Sequence, residues 1–197
     1  FFLIIFPLFL TGPFLINNAQ NALQSTIKND MFQIVQHASG EIVKEYEGNL
    51  KTLSTTASLI GTLQEDIWRQ ETALVEVTLH FPSLRRIASI DLNGREITSS
   101  QPGSKLNILQ HDSIFLCASK GSECVSKVYL NKDHTPTIDI AVPILRLGKV
   151  IGVLRAEYSL RGIWDLLDSI KVDNLQDFIL VDQEGLILSS KDKKQVL

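Results

Sequence analysis

The 197-residue sequence lacks the short motifs that identify many enzymes. It contains no Walker A loop, no G-x-G-x-x-G, no G-x-S-x-G and no H-E-x-x-H. Its acidic pairs, such as Glu65-Asp66, fall on predicted helices, where charged side chains usually form a solvated face. We therefore expect no enzymatic activity from these residues.

The sequence also has little of what nucleic acid binding or a metal site requires. The formal net charge is −3, and the basic residues are scattered rather than clustered with aromatic ones. The four histidines, His37, His80, His111 and His134, lie far apart and show no ligand spacing. We expect no nucleic acid partner, no metal and no cofactor, and the 44% hydrophobic content suits one or two globular modules.

Only two cysteines are present, Cys117 and Cys124, and they flank a predicted turn at Lys120-Gly121. Two states fit this spacing. One is a disulfide that fastens a helix to the following strand, which a location outside the cytoplasm permits. The other is a pair of reduced thiols, one of them in the core.

The first 16 residues, FFLIIFPLFLTGPFLI, carry no charge. As a helix they would span about 24 Å, which is less than the roughly 30 Å hydrocarbon core of a bilayer. Because the chain begins at Phe1 rather than Met, we interpret residues 1–16 as the end of a transmembrane helix, rather than a signal peptide or a buried core helix. The residues after about 17 would then lie outside the cytoplasm, at the cell inner membrane.

A long helix is predicted over residues 17–64. No proline occurs between Asn18 and Gln64, and apolar residues recur in steps of three and four from Leu23 to Ile60. We expect the first part of this signalling helix to pair with a second copy in a homodimer and the later part to cover a sheet. A shorter helix follows over Trp68–Leu79 and ends at Phe81-Pro82.

Three strands are predicted over Val125–Leu130, Thr135–Leu147 and Val150–Ser159, joined by a polar turn and a tight reversal. Alternation in the second strand places Asp139 on the face opposite Ile138 and Ile140, and we expect Asp139 to point outward. From Leu160 to Ile170 the spacing becomes helical.

Two stretches resemble each other, LRRIASIDLNGREITSS at 84–100 and FILVDQEGLILSS at 178–190. Val181 stands 91 positions after Ile90, and both copies read strand, Asp-x-x-Gly turn, strand. We interpret them as the beginnings of two tandem modules, the second cut off at Leu197. The alternative is a chance similarity of two hairpins.

The run TPTIDIAVPI…GKVIGVLRAEYSLRGIWDLL resembles the later strands of a Cache domain, the extracytoplasmic PAS-like sensor of bacterial receptors. With the long helix and the repeat, the chain is similar to a double Cache domain. The implied fold class is α+β, with a long N-terminal helix before a PAS-like antiparallel sheet module. The implied modules are a membrane-distal one at 65–159, a connector helix at 160–174 and a truncated membrane-proximal one at 175–197.

The resemblance implies a ligand pocket between the sheet and residues 101–121. Family members that bind amino acids carry Arg-x-Trp-Tyr there, then Tyr-x-Asp, then an acid on the last strand. Here Asp112-Ser113-Ile114-Phe115 replaces the first pattern, Tyr129-Leu130-Asn131 matches the second in part, and Glu157 matches the last acid. The candidate ligand-binding residues are Tyr129, Asn131, Glu157, Arg155, Phe115, Asp112 and His111.

Several of these candidates also have a structural interpretation. Tyr129 fits a core aromatic, Glu157 a solvent-facing acid, and His111 and Asp112 a surface loop. Arg155 shares the face of Glu157, so it either pairs with Glu157 or replaces the missing arginine. Because arginine is the usual clamp for a carboxylate, its absence argues against a standard amino-acid ligand.

The resemblance implies that the chain is the small-molecule sensing input domain of a transmembrane signal-transduction protein. A histidine kinase of a two-component system, or a diguanylate cyclase, is the leading interpretation. The alternatives are a chemoreceptor input domain and a structural dimerisation module without a ligand. The expected partners are a small molecule, the membrane and a second copy of the chain.

Overall fold

A computed structural model describes residues 2–63, 66–104, 106–169, 179–181 and 187–189, and side chains of residues 2–16, 167–169 and 187–189 are not described. The chain divides into two units, residues 1–44 and residues 45–197. In the first unit the chain forms one continuous helix, part of α1 (Phe2–Leu63), and its Leu23 and Ile27 side chains are exposed. Among the described residues, no helix is both long enough and apolar enough to cross a membrane. The membrane anchor at 1–16 stays a prediction.

The second unit begins with the last part of α1 and continues into helix α2 (Ile67–His80). The carboxylate of Asp66 caps α2 by accepting the N–H of Arg69 at 3.1 Å. The predicted break near 64–66 and the predicted second helix therefore match the structure.

The strands of the main sheet are β1 (Leu84–Asp91), β2 (Glu96–Ser99), β3 (Cys124–Val125), β4 (Tyr129–Leu130), β5 (Pro136–Arg146) and β6 (Lys149–Ser159), and the helices among and after them are α3 (Ser113–Ala118) and α4 (Arg161–Ser169). All strand pairs in this sheet are antiparallel. The strand order is β2-β1-β6-β5-β3, with β4 pairing on β5. The α+β class, a long N-terminal helix before an antiparallel sheet, is confirmed.

The hairpin between β5 and β6 turns at the predicted place. Arg146 pairs with Lys149, and the two residues between them, Leu147 and Gly148, have φ of 47° and 77°. Positive φ at both positions gives a two-residue turn whose twist suits an antiparallel hairpin.

The prediction of a single strand over Val125–Leu130 was wrong, because the structure has two short strands there, β3 and β4. At the break, the Ser126 hydroxyl accepts the N–H of Asp139 at 2.8 Å and donates to the carbonyl of Lys127 at 2.6 Å. A side chain thus replaces the regular backbone ladder, which the β-branched composition alone does not reveal.

One face of the sheet is covered by α1 and α2, and the other face is covered in part. On one face, the ring of Tyr46 in α1 meets the ring of Tyr158 edge-on at 6.2 Å, and Leu53 and Leu74 are fully buried. A Cβ at Gly61 would lie 2.5 Å from the carbonyl oxygen of Leu145, so α1 approaches the sheet closely there. On the other face, α3 packs over part of the sheet and leaves a polar region at β1, β4 and β6 open.

A second, shorter hairpin pairs β7 (Leu180–Val181) with β8 (Ile187–Ser189). Leu180 faces Ser189 and Val181 faces Ile187, and both pairs of strands shift register at this point. Ser89 faces Thr98 and Ile90 faces Glu96, each 91 positions earlier, so the two copies share their register. The second turn, at 182–186, and residues 170–178 lie outside the described residues, and the division into modules stays a prediction.

Candidate functional site

An open cleft of about 650 Å³ occupies the face of the sheet opposite Tyr158. It is bordered by β1, β4, β6 and the turn at 131–133, and also by Gln101, Ser104 and Asn107. Glu157 and Arg86 form its floor, Tyr129 one wall, and Asn131 and Lys132 part of its rim. Most of the side chains that line it are polar or charged, so it suits a polar ligand.

Glu157 stands at the centre of this floor. It pairs across the sheet with Arg86 on β1 and with Asp139 on β5, so that three charged residues form one row. Among the described residues, its carboxylate makes no hydrogen bond and no salt bridge. Burial, and next the negative charge of Asp139, raise the pKa of Glu157. The positive charges of Arg86, Arg155 and Arg85 offset this increase only in part, so the cleft offers a hydrogen-bond acceptor whose charge is incompletely compensated.

Asp139, the member of this row on β5, is buried, which corrects the outward orientation expected from alternation. The Tyr129 hydroxyl donates to its Oδ1 at 3.1 Å, and Nη2 of Arg155 donates to its Oδ2 at 2.6 Å. Burial, together with the neighbouring Asp139 charge, raises the pKa of Tyr129, so the phenol stays protonated and donates. The expectation failed because α3 covers part of the second face of the sheet as well.

Arg155 connects the sheet to helix α3. Its Nη1 donates to Oδ2 of Asp112 at 3.2 Å, while Nη2 is bound to Asp139. The other oxygen of Asp112 caps α3 by accepting the N–H groups of Ile114 and Phe115, both at 3.0 Å. Arg155 is thus held by two carboxylates, and neither of them is Glu157.

A second buried ion pair, Arg86 with Glu96, supports the floor. Nη1 and Nη2 of Arg86 donate to the two oxygens of Glu96 at 2.9 and 2.8 Å, and the side chains are 13% and 1% exposed. The Asn107 N–H donates to the same carboxylate at 2.8 Å. Burial alone would raise the pKa of Glu96, but the bonds from Arg86 and Asn107 hold that pKa below its ordinary value.

Sequence reasoning missed Arg86, Glu96 and Asn107. The register of β1 shifts between Leu84 and Arg86 against β6, and between Ser89 and Ile90 against β2. Each irregularity changes which side chains share a face, so simple alternation does not bring Arg86 and Glu96 together.

The other predicted site residues lie in different places. Asn131 is at the rim, where its Oδ1 accepts the N–H groups of Asp133 and Thr135 at 2.9 and 3.0 Å and shapes the turn. Phe115 lies in α3 and is buried in the core, and His111 is exposed beside Gln110. The structure brings Tyr129, Asn131 and Glu157 to the cleft, places Arg155 and Asp112 behind it, and leaves Phe115 and His111 away from its lining.

A disulfide joins Cys117, near the end of α3, to Cys124 in β3, with 6.2 Å between their Cα atoms. Together with the bond from Asp112 to Arg155, it ties both ends of α3 to the sheet. The cleft contains hydrogen-bonding and charged groups, and no group of three possible metal ligands occurs in the described part of the chain.

We expect replacement of both cysteines by serine to lower the free energy of unfolding by about 2 kcal/mol. The closed loop is short, and the cross-link acts mainly by restricting the unfolded chain. Urea denaturation of the wild-type chain and the double variant measures the difference. Reductant should lower the wild-type midpoint and leave the variant unchanged, whereas equal midpoints for all samples would contradict a stabilising bridge.

No family model and no curated protein matches the chain, whereas solved structures do. The ligand-binding domain of the Pseudomonas aeruginosa amino acid chemoreceptor PctC with GABA superimposes with a TM-score of 0.73 at 19% identity, covering 86% of this chain and 78% of that one. The domain of Pseudomonas fluorescens CtaA with L-isoleucine gives 0.70 at 19%, covering 89% and 73%. That of Campylobacter jejuni Tlp3 with 4-methylisoleucine gives 0.68 at 18%, covering 88% and 73%. The likeness shows that the fold is that of these chemoreceptor ligand-binding domains.

Proposed function

We propose that this chain is the extracytoplasmic sensing domain of a membrane receptor and that it binds a small molecule in the cleft. The observation that carries the proposal is the Glu157 carboxylate, which faces the open cleft and has no hydrogen bond or salt bridge among the described residues. Glu157 is half-buried, and burial raises its pKa, so a ligand that donates a hydrogen bond to the carboxylate would stabilise its ionised form. The domain acts as an input module and catalyses no reaction.

The ligand carries a cationic amine. The Glu157 carboxylate accepts hydrogen bonds from the ammonium group of the ligand, and the ring of Tyr129 forms the adjacent wall of the cleft. Asp139 adds negative charge from behind without being exposed itself. The ligands named for the solved neighbours, GABA, L-isoleucine and 4-methylisoleucine, all contain an amine, which supports this choice.

The receptor is a chemoreceptor or a sensor kinase. The solved neighbours favour a chemoreceptor, and a kinase or cyclase output is the second candidate. In both, residues 1–16 anchor the domain in the inner membrane and the long helix pairs with a second copy. A structural module without a ligand is disfavoured, because its fold would gain nothing from an open polar cleft of about 650 Å³.

Calorimetric titration of the purified chain with a panel of primary amines and amino acids tests this function. We expect Tyr129→Phe to weaken binding of the best ligand about 5- to 10-fold, because the wall of the cleft loses the hydrogen bond, worth about 1–1.5 kcal/mol, that holds the Tyr129 ring to Asp139. Arg155 then remains as the side-chain donor to Asp139 among the described residues.

The control is Tyr46→Phe, which removes the hydroxyl of another half-buried tyrosine, on the opposite face of the sheet. Its ligand affinity should equal that of the wild-type chain. If no compound in the panel binds, or if both variants weaken binding equally, the assignment of the cleft as the sensing site is wrong.

A further inference from the structure

We infer that the cleft recognises amines that lack a carboxylate, because Glu96 already occupies the carboxylate-binding edge of Arg86. The inference rests on the proposed function and specifies its ligand class. It concerns Arg86, the arginine of the cleft floor, which lies directly beside Glu157 in the sheet.

The geometry of this pair is that of a bound carboxylate. Two parallel bonds of 2.9 and 2.8 Å join the guanidinium to both oxygens of Glu96, and Asn107 donates from its backbone and from its side-chain amide. A ligand carboxylate that took this edge of Arg86 would leave Glu96, with a side chain only 1% exposed, without its counter-ion. Removing one partner of such a buried pair is strongly unfavourable.

The remaining arginines near the cleft are also engaged. Arg85 pairs with Asp133 at 2.9 Å on the exposed rim, and Arg155 is held by Asp139 and Asp112. Among the described residues that line the cleft, Lys132 is the one cation without a salt bridge, and it lies exposed on the rim turn. An exposed ammonium gives little binding energy to a carboxylate.

The net charge of the cleft floor also disfavours a ligand carboxylate. The pair of Arg86 with Glu96 is neutral, and the group of Arg155, Asp139 and Asp112 carries one net negative charge. Glu157 adds another, so a ligand carboxylate beside it would meet like charge. An amine satisfies Glu157 without meeting any of these obstacles.

Matched pairs of compounds that differ only in a carboxylate test the inference by calorimetry: isobutylamine with valine, putrescine with ornithine, histamine with histidine, and tyramine with tyrosine. For the pair that binds best, we expect the affinity of the wild-type chain for the amine to exceed its affinity for the amino acid at least about 30-fold. A difference of this size is typical when a charged group is buried without a partner of opposite charge. Glu96→Gln releases the charge of Arg86, so it should reduce this preference to below about 5-fold, chiefly by strengthening the amino acid.

The matched control is Glu71→Gln. Glu71 accepts the Thr98 hydroxyl, from the same strand as Glu96, at 3.4 Å, and it lies on α2. This variant should keep the wild-type preference. The wild-type ratio needs no variant, so it tests the inference even if Glu96→Gln does not fold.

Two results would overturn the inference and leave the sensing function standing. One is a wild-type chain that binds the amino acid as tightly as the amine. The other is a folded Glu96→Gln chain that binds the amino acid more weakly, because Glu96 would then position Arg86 for a ligand carboxylate. If no member of any pair binds, the proposed amine-sensing function itself fails.

Discussion

Replacing Arg155 by methionine is expected to lower the free energy of unfolding by about 3–5 kcal/mol. Arg155 supplies the positive charge nearest to Asp139, whose side chain is only 6% exposed. Without it, the Tyr129 hydroxyl is the remaining side-chain donor to Asp139 among the described residues. Methionine keeps the volume of the aliphatic stem, so the loss measured by urea denaturation reports mainly the uncompensated carboxylate.

Arg85→Met is the matched control for this experiment. Arg85 also pairs with an aspartate, Asp133, but their side chains are 39% and 66% exposed. We expect a loss below about 1 kcal/mol, as for surface pairs in general. Adding Asp139→Asn to Arg155→Met should restore much of the stability, since the charge that needs compensation is gone. Equal effects of the two arginine replacements would contradict a structural role for the buried pair.

The elements that sequence reasoning found are those with a regular period and a clear end. From Leu23 to Ile60, apolar residues of α1 recur in steps of three and four and no proline interrupts them. The helix ends at Leu63, just before the predicted break. The reversal at Leu147 and Gly148 was predictable because it interrupts two strongly apolar strands. The repeated register of the two hairpins accompanies a repeated Asp-x-x-Gly sequence. In the first copy, Asp91 accepts the N–H groups of Asn93 and Arg95.

The candidate site could be predicted only in part. Tyr129 and Glu157 were identified by their resemblance to a family pattern, and both reach the cleft. Asp139 was misjudged because alternation separates two faces but does not say that α3 covers part of the second. Arg86 and Glu96 were missed because two register shifts in β1 decide which of its side chains meet the cleft. Such irregularities depend on tertiary packing and leave no period in the sequence.

Replacing Glu157 by glutamine is expected to weaken binding of the preferred amine about 30- to 100-fold, or about 2–3 kcal/mol, because a charge-assisted hydrogen bond to the ammonium is lost. The same change should stabilise the ligand-free chain by about 1 kcal/mol, which would raise its melting temperature by about 2–4 °C. Ligand affinity and the stability of the ligand-free chain change in opposite directions. The carboxylate strengthens binding of the amine but lowers the stability of the fold when no ligand is bound.

Thermal unfolding with and without the amine measures both effects. Asp165→Asn, on the exposed side of α4, is the control for loss of one negative charge and should change neither quantity. If Glu157→Gln destabilised the ligand-free chain, the wild-type carboxylate would have a stabilising partner, and the proposed role of Glu157 would be untenable.

The pH dependence of this stabilisation has a definite sign. Burial and the Asp139 charge raise the pKa of Glu157 above its ordinary value of 4.5. Below that value Glu157 is protonated in both the folded and the unfolded chain, so it costs no stability. As pH rises through the interval up to the folded pKa, the unfolded chain ionises first and the wild-type fold loses stability. The melting temperature of Glu157→Gln should therefore exceed that of the wild type by an amount that grows as pH rises above 4.5 and levels off above the folded pKa. Over the same interval the wild-type affinity for the amine should increase, because only the ionised carboxylate compensates the ammonium charge.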